Sequence, residues 1–402
     1  MRHATRFGAP RRGASWRFAV PVALVLLLVV PALARAADVS LHGLLDVTAS
    51  GRGRGFESNA LFRGDSNFDP YRLLLSAEGS LAPEIEFVTH LRLGDGAPLY
   101  VDGAWVRWTP DPARDLHLEA GKIPWIIGTW APRTYSDHNP LIGAPLLYQL
   151  HTTLLWWDVP PDADALLAAS GRGQYGVGYS GFGSSRGMAV VDDSWWDVGA
   201  DVTGSLRPLE YAFGATLGTP GWGNPAHEEN GGKTVLGRIG VLPLPGLRLG
   251  VSGARGSYLH EYMDPYLPDG QTASDFHQNL GMADLEVLFG HVELRSEAFL
   301  NVWETPTVGD LRVRGGYGEA KVTVLPGVYL AGRWDRMLFS DVIDSGGAAH
   351  PWDLPRTRWE AGAGWRPRRD LIFKLVGQRT ITHFAAADAN DDLLAAQLGI
   401  KF

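Results

Sequence analysis

The sequence predicts an all-β protein, a transmembrane antiparallel β-barrel of sixteen strands, and three observations lead to this fold class. Many stretches alternate apolar and polar residues, short and long connections alternate along the chain, and the last residue, Phe402, ends an alternating strand. Alternation of period two is typical of strands with one apolar and one polar face. The regular sorting of connections favours an outer-membrane barrel over a soluble sandwich, in which nothing gathers the long loops at one end.

Residues 1–36 are expected to be a secretory signal peptide. Five arginines between Arg2 and Arg17 precede an apolar run, Phe18 to Val30, and Ala34-Arg-Ala36 has the small-x-small pattern of a cleavage site. The apolar run is shorter than the about 20 residues that a transmembrane helix needs. The barrel domain would therefore comprise residues 37–402.

Composition excludes several classes of function. The 36 Lys and Arg residues include six arginines in the predicted signal peptide, so the mature chain has 30 basic against 44 acidic residues, a net charge of −14. This charge disfavours nucleic acid as a partner. The chain has no Cys, which excludes disulfides and thiolate metal sites. We predict no cofactor and no metal, and we interpret the acidic cluster Asp388, Asp391 and Asp392 as a solvated loop rather than a calcium site.

The first and last strands show the alternation best. In the first, one face comprises Val39, Leu41, Gly43, Leu45 and Val47. In the last, one face comprises Leu394, Ala396, Leu398, Ile400 and Phe402. An aromatic residue at the end of such a strand resembles the terminal signature by which bacterial outer-membrane barrels are recognised for assembly. We therefore predict Phe402 as the assembly signal, with the barrel assembly machinery, lipid and lipopolysaccharide as partners.

The connections form two alternating sets. Short turns are predicted at Ala82-Pro83, 110–112, Arg207-Pro208, Pro245-Gly246, Gly290, Pro326-Gly327 and Pro367-Arg368. Longer polar connections are predicted at 51–70, 220–233, 260–277, 341–355 and 385–392. Short periplasmic turns and long external loops are typical of outer-membrane barrels. Sixteen strands result, or eighteen if residues 174–182 and 187–191 form a further hairpin.

One insert, residues 124–193, is far longer than an ordinary connection and follows the fifth strand. Such loops are usually functional or disordered, and its apolar and aromatic content argues against disorder. We expect an ordered loop that folds into the lumen. An external lid or a subunit-contact loop is the alternative.

The position of this insert resembles that of the pore-constricting third loop in trimeric bacterial porins. The segment Leu118 to Pro124 (Leu-Glu-Ala-Gly-Lys-Ile-Pro) is also similar to the strand-end motif of the phosphate-selective porin superfamily, although Ile123 stands where that family has an aromatic residue. The resemblance implies a porin-like channel in the outer membrane of a Gram-negative bacterium, with a homotrimer as the expected assembly. The family's basic phosphate ladder is not evident, so phosphate is not the expected solute.

Two sets of residues are predicted to form the channel. The constriction is assigned to Lys122, Trp130, Arg133, Asp137, His138 and Asp158. The polar lumen lining is assigned to Glu86, Arg92, Glu119, Arg238, Arg248, Glu293, Arg295, Glu297, Arg358, Glu360 and Lys374, whose alternation turns them away from lipid. Eight tryptophans near strand ends are interpreted mainly as the aromatic girdle of the membrane interface: Trp105, Trp108, Trp195, Trp222, Trp303, Trp334, Trp359 and Trp365.

Passive diffusion of small hydrophilic solutes or ions is the expected function, with weak selectivity tilted toward cations by the negative charge. Two alternatives stay open, an outer-membrane barrel enzyme and a plugged structural or adhesin barrel. An enzyme needs a nucleophile and a base held together, and no such constellation stands out. Gly171 to Gly176 matches a dinucleotide-binding pattern, but it follows a predicted short helix at 162–169, whereas that pattern must follow a strand.

Overall fold

The computed structural model describes residues 39–52, 68–94, 99–111, 113–181, 183–192, 196–222 and 229–402. The predicted signal peptide and Ala37 lie outside these ranges. Sixteen antiparallel strands form one closed barrel, in which sequence neighbours pair and the last strand pairs with the first. The prediction of a sixteen-stranded barrel is confirmed. The strands are β1 (Val39–Arg52), β2 (Tyr71–Ala82), β3 (Ile85–Gly94), β4 (Tyr100–Trp108), β5 (Leu116–Pro124), β6 (Trp196–Leu206), β7 (Leu209–Thr216), β8 (Thr234–Leu244), β9 (Leu247–Ser257), β10 (His277–Phe289), β11 (Val292–Trp303), β12 (Leu311–Leu325), β13 (Val328–Phe339), β14 (Arg356–Arg368), β15 (Leu371–Thr382) and β16 (Ala389–Lys401).

The strands turn their apolar sides outward. In β16, Leu394 is 60% exposed on the outer face, whereas Leu393 and Gln397 are buried on the inner face. Other strands expose large apolar side chains in the same way, among them Leu41, Phe213, Val235, Val251, Leu330 and Leu375. A closed sheet with an apolar outer face satisfies every backbone group within lipid. Within the described ranges, no helix combines the length and apolar character of a transmembrane helix.

The turns at one end of the barrel are short, and their residues explain why. Gly246 and Gly327 follow prolines and have φ angles of 81° and 78°, a region that glycine adopts without steric cost. The predicted turn at Pro367-Arg368 was placed two residues too early. Pro367 lies within β14 at a register shift between Trp365 and Arg368, where a strand tolerates proline, and the turn is formed by residues 369–370.

The opposite end carries the long connections, two of which contain short elements. Residues 258–276 include 3-10 turns at Glu261–Tyr266 and Ala273–Asp275, and residues 340–355 include a small hairpin of Asp341–Ile343 and Ala349–Pro351. The prediction of a long loop at 385–392 was wrong, because β16 already begins at Ala389. Its acidic cluster is also dispersed. Asp388 contacts His383, Asp391 is buried inside, and Asp392 pairs with Arg379 outside.

The barrel closes between β1 and β16, with Phe402 at the seam. The backbones of Gly43 and Phe402 exchange two hydrogen bonds of 2.7 and 2.9 Å. A Cβ atom at Gly43 would lie 2.3 Å from the Phe402 ring. The ring can therefore cover this part of β1 only because residue 43 is glycine.

Candidate functional site: a loop through the barrel lumen

The insert after β5, here called the lumen loop (residues 125–181 and 183–192), runs through the inside of the barrel. It contains a 3-10 turn at Ala131–Arg133 and two short helices, α1 (Leu146–Gln149) and α2 (Ala163–Ala169). Asp162 caps α2 by accepting a hydrogen bond of 2.8 Å from the Ala165 amide, as expected for an aspartate at this position. The inward-folding loop is confirmed, and the described residues of the segments 174–182 and 187–191 add no strands to the barrel.

The loop descends to the short-turn end and then returns. Asp137 forms an ion pair of 3.1 Å with Lys401, next to the end of β16, and Tyr329, just after a short turn, donates to the Pro140 carbonyl at 3.0 Å. At the opposite end, Ser345 donates its amide to Asp164 at 2.9 Å. The loop therefore spans most of the depth of the lumen.

Trp130 and Arg133 form the centre of the loop's contact with the wall. Trp130 is fully buried, and its ring packs 6.1 Å from that of Tyr148. The guanidinium group of Arg133 lies 4.8 Å from the Trp130 ring and pairs with Glu319 of β12. A second guanidinium group, that of Arg333, lies 5.6 Å from the same ring. This arrangement fixes the loop by cation–π contacts and buried ion pairs.

Charged groups of the wall hold the loop mainly by its backbone. Glu360 accepts from the Gly143 amide at 2.8 Å, and Glu297 accepts from the Thr129 amide at 2.5 Å and the Tyr148 hydroxyl at 2.6 Å. We call the wall residues with such contacts the anchor residues: Glu297, Glu319, Arg333, Asp335, Arg358, Glu360 and Lys374.

The basic anchors bind oxygen atoms of the loop. Arg333 donates to the Gly143 carbonyl at 2.9 Å, and Lys374 donates to the Leu141 carbonyl at 3.0 Å. Arg358 donates to the Gln149 side chain at 2.7 Å. Buried charges are costly unless they are paired or hydrogen-bonded, and the loop supplies the required partners.

Several residues predicted to line a water-filled lumen are therefore covered. Glu297, Arg358, Glu360 and Lys374 lie on the inner face, but they are at most 3% exposed because the loop lies over them. Glu119 and Arg238 are also buried, each beneath a charged neighbour of the inner wall. Arg92 pairs with Asp102 at 3.1 Å.

A second group of inward charges, here called the charge belt, lies near the short-turn end and is only partly covered. Arg248 contacts Glu210 at 2.5 Å, and both side chains are about a third exposed. On β11, Glu293 contacts Lys321 at 2.6 Å and Arg295 at 3.1 Å. The belt comprises Glu86, Arg107, Glu119, Glu210, Arg238, Arg248, Asp284, Glu286, Glu293, Arg295 and Lys321. Acidic and basic groups are interspersed around it.

The six predicted constriction residues do not form one cluster. Trp130 and Arg133 lie in the lumen, whereas Asp137 and His138 lie at the short-turn end. Asp158 is buried within the loop, where it accepts from the Tyr179 amide at 2.6 Å.

Lys122 lies away from the other five. It pairs with Val198, whose neighbour Asp197 is fully buried on the inner face, so Lys122 belongs to the outward set. Its Nζ donates to the Val101 carbonyl at 2.5 Å.

Asp137 and His151 are among the titratable groups of the loop whose pKa values are shifted. Burial alone would raise the pKa of Asp137, but hydrogen bonds and positive charge from His138 and Lys401 lower it to about 2. Burial, with help from Arg186, lowers the pKa of His151 well below its usual value. The Nδ1 atom of His151 lies 2.5 Å from the Gly187 carbonyl oxygen. The loop therefore contains a neutral buried histidine.

The tryptophans divide between lipid and lumen. Four predicted girdle residues are 38 to 57% exposed on the outer face: Trp108, Trp334, Trp359 and Trp365. The girdle interpretation was wrong for three others, which pack inside: Trp105 stacks on His90, Trp222 stacks on Trp156 at 4.6 Å, and Trp303 is fully buried. Trp195 lies outside the described residues. Proximity to a strand end does not determine which face a residue occupies.

Sequence reasoning missed several of the residues that fix the loop. Arg333 and Asp335 flank the outward-facing Trp334 on β13, and their alternation was the available signal. Glu319 on β12 could have been found from the same alternation. Among the described residues, no group of three or more His, Asp and Glu side chains is arranged to hold a metal ion.

No protein-family model and no curated protein matches this chain. Solved structures do resemble it. An anion-selective porin from Comamonas acidovorans aligns over 91% of this chain and 100% of its own, with a TM-score of 0.58 and 10% identity. OmpF of Salmonella typhi in complex with daunomycin covers 91% and 98%, with a TM-score of 0.55 and 11% identity. The outer membrane channel DcaP of Acinetobacter baumannii covers 92% and 98%, with a TM-score of 0.54 and 8% identity.

The fold is that of Gram-negative outer-membrane porins. At these identities the likeness concerns the fold alone. Together with the closed sheet and the apolar outer face, this porin fold identifies the chain as an outer-membrane barrel.

Proposed function

We propose that the protein is a passive channel for small hydrophilic solutes or ions, narrowed by the lumen loop. The charge belt carries this proposal, because several of its side chains are partly exposed on the inner face although the loop covers the anchor residues. Arg107 and Arg248 are 35% and 37% exposed, and Glu210 and Glu293 are each 28% exposed. A charged group that keeps about a third of its surface exposed inside a barrel is most stable where water reaches that surface.

Selectivity is expected to be weak, because the belt contains both acidic and basic groups. The net charge of the mature chain adds a slight preference for cations, which salt screens over about 10 Å at 0.1 M. The proposed constriction residues are Trp130, Arg133, Asp137 and His138 of the loop.

Single-channel recording on a shortened loop tests the proposal. Removal of residues 135–158 withdraws the segment between the descending and returning arms, so conductance should rise and the anchor residues should become hydrated. A deletion variant that keeps its fold and wild-type conductance would show that the loop is not the constriction.

A plugged barrel is the second candidate, favoured by the depth to which the loop reaches. The chain has no Cys, so one engineered disulfide can fix the loop. A Cβ atom at Gly399 would lie 2.9 Å from the Ser136 oxygen, close to the about 3 Å between Cβ and the opposite sulfur in a disulfide.

The double variant S136C/G399C separates the two candidates. Conduction by the oxidised form would show that ions pass beside a loop that does not move. Conduction that appears only after reduction indicates a movable plug, and silence in both states indicates a sealed barrel. The single variants S136C and G399C control for the substitutions themselves.

Export and assembly are proposed to depend on the two ends of the chain. Residues 1–36 direct secretion, so N-terminal sequencing of the mature protein should begin at Ala37. Phe402 is proposed as the signal to the barrel assembly machinery, and its position at the β1–β16 seam supports this role. Deletion of Phe402 should reduce the heat-modifiable barrel in the outer membrane without affecting export. Normal assembly without Phe402 would exclude the role.

A homotrimer is the proposed assembly. Mass measurement of the protein in detergent tests it directly, and a monomer would reject it.

A further inference from the structure

A groove of about 750 Å³ crosses the outer face of the barrel near the long-connection end, on β9 to β13. We call it the outer basic groove, and its lining includes Arg255, Asn279, Leu300, Arg312, Arg314 and Leu338. Arg314 pairs with Leu300 on one side and with Leu338 on the other. Leu300 is 52% exposed on the lipid side. Directly paired residues share a face, so Arg314 also points outward.

Arg336 lies beside the groove, just beyond the aromatic girdle. It is exposed on β13 two residues after Trp334, whose ring lies 6.2 Å from that of Trp359. Such outward tryptophans mark the membrane interface. A two-residue step advances about 7 Å along a strand, which places Arg336, and Arg314 beyond it, at the level of the lipid headgroups.

The groove has more positive charge than its own acidic residues can balance. Arg255 pairs with Glu304 at 3.0 Å, and Arg312 lies 4.0 Å from Asp310. In the part of the chain that the structure describes, Arg314 and Arg336 have no ion pair. Guanidinium groups on a lipid-facing surface are unfavourable without a polar or anionic partner, and their fork of donors matches phosphate oxygens.

We propose that the outer basic groove binds a phosphorylated glycolipid of the outer leaflet, of the lipid A class. The guanidinium groups of Arg314 and Arg336 bind phosphate, and Leu300 and Leu338 pack against an acyl chain. The long connections of a porin fold face outward, so this end of the barrel meets the outer leaflet. The inference rests on the proposed membrane orientation and is independent of conduction.

Native mass spectrometry tests the proposal on the mature full-length protein in an uncharged detergent. The probes are bis-phosphorylated lipid A and the same lipid after dephosphorylation. The wild type should retain the phosphorylated lipid and bind the dephosphorylated form at least about tenfold more weakly. The double variant R314Q/R336Q should lose about tenfold or more in affinity for the phosphorylated lipid, and R314K/R336K should keep part of it.

Arg379 provides a matched control. It is also exposed on the outer face, but Asp392 already binds its guanidinium group at 2.6 and 2.8 Å. R379Q should therefore bind the lipid like the wild type. Heat-modifiable migration of each variant shows that the barrel is folded.

Equal lipid affinity of the wild type and R314Q/R336Q, or equal affinity for the two lipids, would overturn the proposal. Loss of oligomer mass in R314Q/R336Q with unchanged lipid binding would instead assign the groove to a second copy of the chain. Lipid binding by a wild-type protein that does not conduct would reject only the proposed channel.

Discussion

Glu293 and Glu297 lie on the same strand, β11, and on the same inner face, four residues apart, yet their surroundings are opposite. Glu293 is 28% exposed and shares its charge with Lys321 and Arg295 in the charge belt. Glu297 is 2% exposed and accepts hydrogen bonds from the lumen loop. Alternation along a strand therefore tells which face a side chain occupies, and the loop decides whether water reaches it.

The largest expected difference between these two residues is in stability. Glu297→Ala leaves the buried Thr129 amide and Tyr148 hydroxyl without their acceptor. Since each unsatisfied buried donor costs about 1–3 kcal/mol, the loop should lose at least about 2 kcal/mol of packing free energy. Glu293→Ala removes a partly exposed ion pair and should cost at most about 1 kcal/mol.

Denaturant unfolding in detergent, combined with limited proteolysis of the lumen loop, measures both variants. Equal destabilisation would contradict the distinction between anchor residues and charge belt. Faster cleavage of the loop in Glu297→Ala alone would support it.

A lower pH should destabilise the packed lumen loop more than the charge belt, because His151 of the loop is buried and neutral. Its pKa in the folded loop lies well below 6.5, whereas in a released loop it would be about 6.5. The packed loop thus has its full stability above pH 6.5 and loses it as the pH falls, because the released loop binds a proton that the packed loop excludes. The slope is at most about 1.4 kcal/mol per pH unit for this one group.

Limited proteolysis at pH 7.5 and pH 5 measures this effect. Cleavage of the loop should increase at pH 5 in the wild type, and His151→Gln should remove that part of the pH dependence. An unchanged pH dependence in His151→Gln would assign the effect to other groups.

The smallest expected effect concerns ion selectivity. Glu293→Gln removes one negative charge from the proposed water-filled path and should shift the reversal potential slightly toward anions. The shift should shrink between 0.1 M and 1 M salt, because the screening length falls from about 10 Å to about 3 Å. Lys321→Gln should shift the potential in the opposite direction. Identical reversal potentials for the two variants would show that ions do not pass the belt.

The sequence was sufficient to predict the barrel fold. It was much less sufficient to predict the candidate site. The strand faces, the sixteen strands and the insert after β5 follow from local patterns, which depend only on neighbouring residues. The path of the loop depends on contacts between residues far apart in the chain, such as Leu141 with Lys374 and Gly143 with Glu360. Trp105 shows the same limit, because its packing against His90 and Trp196 inside the barrel depends on strand register that no local pattern records.

The anchor residues form hydrogen bonds mainly with backbone groups of the lumen loop. Glu360, Arg333 and Lys374 bind the amides and carbonyls of residues 141–143, which are backbone groups and do not depend on side-chain identity. Residue 143 itself must be glycine, because a Cβ atom there would lie 2.6 Å from the Glu360 Oε2 atom. Loop side chains that do not contact the wall, unlike those of Trp130, Arg133 and Tyr148, are thus uncoupled from its attachment. A new residue can be introduced at His138, whose side chain is 59% exposed, while the anchored backbone stays the same, so the barrel can hold loops that differ in sequence at such positions.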